Sequence, residues 1–168
     1  MLNSLNYLTD FEFNDNVSVA FKNIVDGFNS FPNITLDFKA LNFNEDKIID
    51  LIKNIYDEND GECFIDFYIS KLSQEDKNNI INLAGDKDKE LLKSIIENNT
   101  HTGVYYKLLS KDLIPLLTRL NTREIFFVTF YFTKKPITIW GNYNMKFPCF
   151  FENDEDMKFY SNLFYYTA

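Results

Sequence analysis

From Ile125 to Phe132 the chain reads IFFVTFYF, with apolar or aromatic side chains at both odd and even positions. Strand side chains alternate between the two faces of a sheet, so a segment apolar at both parities needs cover on both sides, and the pattern predicts a central strand. Thr133, Lys134, Lys135 and Pro136 interrupt it before Ile137 to Trp140 resumes, which predicts a hairpin with a four-residue connection.

Other segments carry either the helical or the strand period. Val17, Ala20, Phe21, Ile24, Val25 and Phe28 share one helical stripe, predicting a helix capped at Asp15 or Asn16 and ending near Gly27 and Asn29. Ile34, Leu36 and Phe38 alternate with Thr35, Asp37 and Lys39, as in a strand with one wet face near a sheet edge. Asn44 caps a helix with Ile48, Leu51, Ile52 and Ile55 inside, and Cys63 to Ile69 reads as a largely buried strand. Ser73 with Asp76 opens a short helix, Lys87 to Asn98 forms another, and Val104 to Leu109 is a third strand. Ser110 or Asp112 caps Leu113 to Leu120, where Pro115 fits the first turn, because an N–H there has no intrahelical acceptor. Phe147 to Phe151 is a short extended piece, and Asn153 with Asp156 caps a final helix. Alternation of this kind predicts one α/β (or α+β) domain over residues 1–168: a mixed sheet of about five strands with helices on its faces, a C-terminal hairpin and a last helix.

Composition changes this picture in two ways. Aromatic residues make up 17% of the chain, enough to predict a core built on rings. The formal net charge is −8, which opposes a nucleic-acid or anionic-membrane binder acting through bulk charge. Met1 to Ala84 holds 15 Asp and Glu against 6 Lys, whereas Gly85 to Ala168 holds 10 acidic against 11 basic residues. Arg119, Arg123, Lys134, Lys135 and Lys146 surround the hairpin, so the halves allow an electrostatically two-sided molecule. No run approaches the length of a membrane span, and Met1 to Thr9 has no signal-peptide pattern. Cys63 and Cys149, both in apolar surroundings, are expected as reduced, buried thiols of a cytoplasmic protein.

Candidate chemistry is sparse. A Cys63–His101–Asp66 triad would need a reactive thiol, but Cys63 lies in an apolar strand that disfavours the thiolate. One His and two separated Cys do not make the usual zinc set, and Asp57, Glu58, Asp60 and Glu62 lack the spacing of a calcium loop. The five glycines are isolated, so no phosphate cradle is expected. Strand-associated acids Asp37, Asp66 and Glu124 read as solvent-facing residues, and the sheet aromatics Tyr105, Tyr106, Phe127 and Tyr131 as core. No catalytic residue, metal or cofactor is therefore expected.

Surfaces carry the remaining signal. Asp57 to Glu62 and Glu152, Asp154, Glu155 and Asp156 put carboxylates on connections, while Trp140 and Tyr143 supply aromatic anchors. Acids beside aromatics suit recognition of a basic protein, since charge steers the encounter and rings supply binding energy. In length, acidity, aromatic α/β character and lack of catalytic apparatus, the chain resembles the small acidic immunity proteins of bacterial toxin systems. The resemblance implies stoichiometric neutralisation of a cognate basic toxin, such as a nuclease; it transfers no site residues, and the surface pattern itself points to these ten as the contact. The alternatives are an enzyme or small-ligand domain with dispersed site residues, and a nucleic-acid-associated regulator using the basic strip by the hairpin.

Overall fold

A computed structural model describes residues 4–167. In chain order its elements are β1 Leu5–Leu8, α1 Asp10–Asn16, α2 Ile24–Ser30, β2 Asn33–Asp37, α3 Glu45–Glu58, β3 Cys63–Asp66, α4 Gln74–Leu83, α5 Asp86–Asn98, β4 Tyr105–Leu108, α6 Ile114–Thr122, β5 Thr129–Phe132, β6 Ile137–Ile139, β7 Lys146–Phe151 and α7 Asp154–Thr167. The strands form one sheet in the order β1-β4-β3-β5-β6-β7-β2. Every neighbouring pair is antiparallel, where the sequence pattern predicts a mixed sheet. The α/β class, the hairpin and the final helix agree with the sequence pattern, with seven strands in place of about five.

The two additional strands have weak signals for physical reasons. β1 is only four residues long and has Asn6 in its middle. β7 contains Pro148, normally excluded from strand interiors because it cannot donate to the ladder. The Pro148 carbonyl accepts the Trp140 amide at 2.9 Å, so its own nitrogen, which cannot donate, faces the same way just past the end of β6.

β5 is the middle strand of the seven and is buried on both faces as its two-parity pattern requires, but it takes up only Thr129–Phe132 of the expected Ile125–Phe132, and Ile125, Phe126 and Phe127 lie half-buried in the connection before it. Toward one face, Phe130 and Phe132 join Cys63, Ile65, Ile139, Phe147 and Phe151 beneath the stripes of α3, α5, α6 and α7. Burying each such ring or aliphatic side chain is worth roughly 1.5–3 kcal/mol, and this layer is the main core. Toward the other face, Phe64 and Tyr131 meet Leu8, Phe13 and Val17 from the N-terminal segment.

That thinner cover departs from the expected helix over Val17 to Phe28. The chain instead forms α1 and α2 with an irregular link between them. Thr9 and Glu12 make a reciprocal capping box, and Asn23 accepts the Asp26 amide at 3.1 Å, so two local starts outcompete one longer helix. Val17 and Val19 are β-branched, disfavoured in helix, and both are buried in the extended link. Gly27 falls within α2, where a Cβ would come within 2.7 Å of the Phe21 ring and 3.0 Å of Phe150, so its absence lets the helix rest on these rings.

Candidate partner-binding surface

Loop 59–62 follows α3 and is held by one buried amide. The side chain of Asn59 donates to the Ile55 carbonyl at 2.9 Å and to the Tyr160 hydroxyl at 2.7 Å, and accepts the Lys135 amide at 2.8 Å. Tyr160 in turn donates to the Lys135 carbonyl at 2.7 Å. The end of α3, the β5–β6 turn and α7 are thus tied at one point, and the lysines of the turn are brought against the acids of the loop. Nothing local in the sequence marks Asn59 for this role, since Lys135 is 76 residues away.

Those acids are individually paired. Lys107 reaches Glu62 at 2.7 Å, Lys111 reaches Asp57 at 3.0 Å, Lys135 reaches Glu58 at 2.6 Å, and Lys134 pairs with Asp60. Lys135 also lies 4.1 Å above the Phe159 ring. Of the eight ion pairs among the described residues, six join a base of the second half to an acid of the first: these four, Arg123–Glu45 and Lys146–Asp37. The folded molecule therefore interleaves the charges that the sequence separates, and the two-sided arrangement does not form. The basic strip near the hairpin is neutralised in the same way: Arg119, Arg123, Lys134, Lys135 and Lys146 each hold a carboxylate.

The second acidic cluster lies at the same end of the sheet. Phe151 pairs with Ile137 across β6 and β7, placing Glu152 beside the β5–β6 turn. Asn153 accepts the Asp156 amide at 2.9 Å and caps α7, putting Asp154, Glu155 and Asp156 in the first turn, where the helix dipole favours carboxylates. Burial and then the charges of Glu152 and Glu155 hold the Asp156 carboxyl above its ordinary value. Glu152, Asp154 and Glu155 are exposed and take part in none of the described ion pairs. Eight acids thus gather at this end against Lys107, Lys111, Lys134, Lys135 and Lys158, leaving it net negative.

Trp140 and Tyr143 are elsewhere. Trp140 follows Ile139 at the opposite end of β6, roughly 10 Å from the β5–β6 turn at strand rise. Its ring stacks on Phe21 at 5.4 Å, and the 60%-exposed Tyr143 meets Phe127 edge-on at 4.7 Å. The expected adjacency of acids and aromatic anchors is corrected: the eight acids share one end and the two rings share the other. The aromatic neighbour that the sequence reading missed at the acidic end is Phe159, reached through Lys135.

Two of the triad candidates are separated by the pleat. Cys63 points into the helix-covered core and Asp66, three residues later, toward the opposite face. Burial pushes the thiols of Cys63 and Cys149 well up, which disfavours the thiolate, and both are free. Asp66 is buried, not solvent-facing as expected; it accepts the Thr129 amide at 2.8 Å and the Tyr131 hydroxyl at 3.1 Å. Its burial outweighs these bonds and raises its carboxyl to about 6. Asp37 is half-buried against Lys146, and Glu124 accepts the Asn144 amide at 2.7 Å.

His101 stacks flat on Tyr7 at 4.2 Å, at the rim of a cleft of about 310 Å³ between β1 and α5. Gly103 makes room for this: a Cβ there would come within 2.4 Å of the Tyr7 ring. No helix of the described residues is long and apolar enough to cross a membrane. No family model, curated protein or solved structure matches the chain.

Proposed function

We propose that this protein acts in the cytoplasm as a stoichiometric inhibitor that binds and neutralises a basic toxin domain, in the manner of immunity proteins. The observation that carries the reading is the group Glu152, Asp154 and Glu155, exposed and without a described ion-pair partner at the start of α7, next to loop carboxylates held only by partly exposed lysines. Exposed ion pairs are worth little individually, so a partner bearing several arginines can exchange into them at small cost. The Asn59 hub keeps both acidic connections in a fixed relation, which limits the ordering penalty on association. Lys135 stacked on Phe159 presents an apolar element within the acidic end, whereas Trp140 and Tyr143 would engage only a partner extending along the sheet.

The test is a titration of the purified chain with the basic toxin domain encoded beside it. A tight one-to-one complex is expected, weakened at least about tenfold by the double change Glu152→Lys and Glu155→Lys and progressively by added salt. A pair that fails to associate at low ionic strength, or whose affinity ignores both the charge reversals and the salt, overturns the proposal.

A further inference from the structure

We infer that a second copy of this chain docks along the free edge of β1, joining two sheets into one across a two-fold axis at Asn6.

The main-chain directions of β1 come from its pairing. Leu109 donates to the Ser4 carbonyl at 2.9 Å, and Leu5 to Leu8 run opposite Leu108 to Tyr105. Bonded and non-bonded positions alternate along an antiparallel pair, so Asn6 and Leu8 bond to β4 while the N–H and C=O groups of Leu5 and Tyr7 point away from the sheet. In an antiparallel partner strand centred on Asn6, Leu5 of one copy faces Tyr7 of the other. Both residues present outward groups, so all of these groups find partners in that register. The side chains of Leu5 and Tyr7 lie on the helix-covered face, against the cleft under α5, and the same residues of the second copy would occupy that cleft.

Sheet edges are normally guarded by charge, proline or a covering turn. The other edge follows this rule: Asp37 ends β2, its side chain accepts the Ala40 amide and its carbonyl the Leu41 amide, each at 3.0 Å, and the chain folds back over the strand end. Among the described residues, the Leu5-Asn6-Tyr7-Leu8 edge has none of these devices. None of the thirteen residues lining the cleft is Asp, Glu, Lys or Arg, in a chain that is 25% charged. This selects the occupant. A basic partner gains nothing from an uncharged edge, while a copy carrying −8 can approach another closely only where carboxylates are absent.

Sedimentation of the full chain from about 1 to 100 µM tests this. The mass should rise from 19.9 kDa toward twice that value, and more readily at high salt, because screening relieves repulsion between acidic bodies. Amide exchange at Leu5 and Tyr7 should slow at least about tenfold as the dimer forms, with Asn6 and Leu8 unchanged. Asn6→Lys places two ammonium groups face to face on the axis and should hold the protein at 19.9 kDa with an unchanged thermal midpoint, since Asn6 is exposed. If that variant loses stability, Asn6→Asp, whose register neighbour is Lys107, repeats the test with carboxylates. The inference fails if the chain stays at 19.9 kDa throughout, if the dimer survives both variants, or if it forms without protection at Leu5 and Tyr7.

Discussion

Two carboxylates are buried among the described residues, one in the helical layer and one under the thin N-terminal cover, and they are accommodated by different physics. Asp88, near the start of α5, receives both Nε and Nη2 of Arg119 from α6 at 2.5 Å, with the two side chains 5% and 8% exposed. Asp66, at the end of β3, receives only neutral donors, the Thr129 amide and the Tyr131 hydroxyl. A guanidinium offers Asp88 a full opposing charge and a two-pronged fit. An amide and a phenol offer partial charges, and desolvation dominates at Asp66, whose carboxyl rises to about 6. A buried acid is thus a fixed joint between helices in one place and a pH-sensitive liability in the other.

The sharpest way to break the first arrangement is Arg119→Ala, which leaves a bidentate carboxylate buried without its partner. A loss of about 3–5 kcal/mol is expected in urea denaturation at pH 7, because an uncompensated buried charge is far costlier than a missing surface contact. Removing both charges together, Asp88→Leu with Arg119→Met, should restore most of that stability, since an apolar pair of similar volume avoids the desolvation altogether. If the double change is as damaging as the single one, the pair contributes packing geometry that hydrophobic groups do not replace.

For Asp66 the expected sign is opposite. Its folded-state value of about 6 lies above the ordinary 3.8, so the native protein binds this proton more tightly than the unfolded chain. The resulting penalty is absent below about pH 4, grows as pH rises toward 6 and is complete above it. Asp66→Asn keeps an acceptor for the Thr129 amide and offers a donor to the Tyr131 hydroxyl. It should be more stable than the parent by up to about 3 kcal/mol at pH 7, with the gap closing by about pH 4. Parallel denaturation curves at the two pH values decide it, and a variant that is weaker at pH 7 would place the ionised form among the stabilising groups.

The contrast between these two layers also sorts what the sequence discloses. In the helical layer, Asn44, Ser73 and Asn153 cap helices where the residue types place them, and the stripe Ile48, Leu51, Ile52 and Ile55 is buried as its spacing requires. On the thin face, the spacing of Val17 to Phe28 imitates one helix, although the Thr9–Glu12 box and the Asn23 cap were available to signal two. Leu5 to Leu8 is too short for alternation to register. The residues proposed to bind a partner were legible as acids and aromatics but not as neighbours. Glu62 and Lys107 are 45 residues apart, Asp57 and Lys111 54, and Glu58 and Lys135 77, and only the folded topology decides which charges meet. The Arg119–Asp88 joint, 31 residues apart on two separate helices, is hidden for the same reason.

Set against the buried joint, the exposed pairs should respond weakly, and one of them sharpens the functional reading. Lys111 and Asp57 are 49% and 56% exposed at 3.0 Å, a geometry in which solvent screening removes most of the attraction. Lys111→Ala should therefore change stability by less than about 1 kcal/mol in the same urea measurement, several-fold below the effect at Arg119. The same change releases Asp57 and makes the acidic end one unit more negative. In titrations with the basic toxin domain proposed as partner it should tighten binding by a few-fold at low salt, with the gain disappearing as ionic strength rises. A gain in affinity without a matching loss in stability would show that the loop lysines hold carboxylates that a partner can take over. Unchanged affinity would move the contact away from loop 59–62 and onto the α7 start alone.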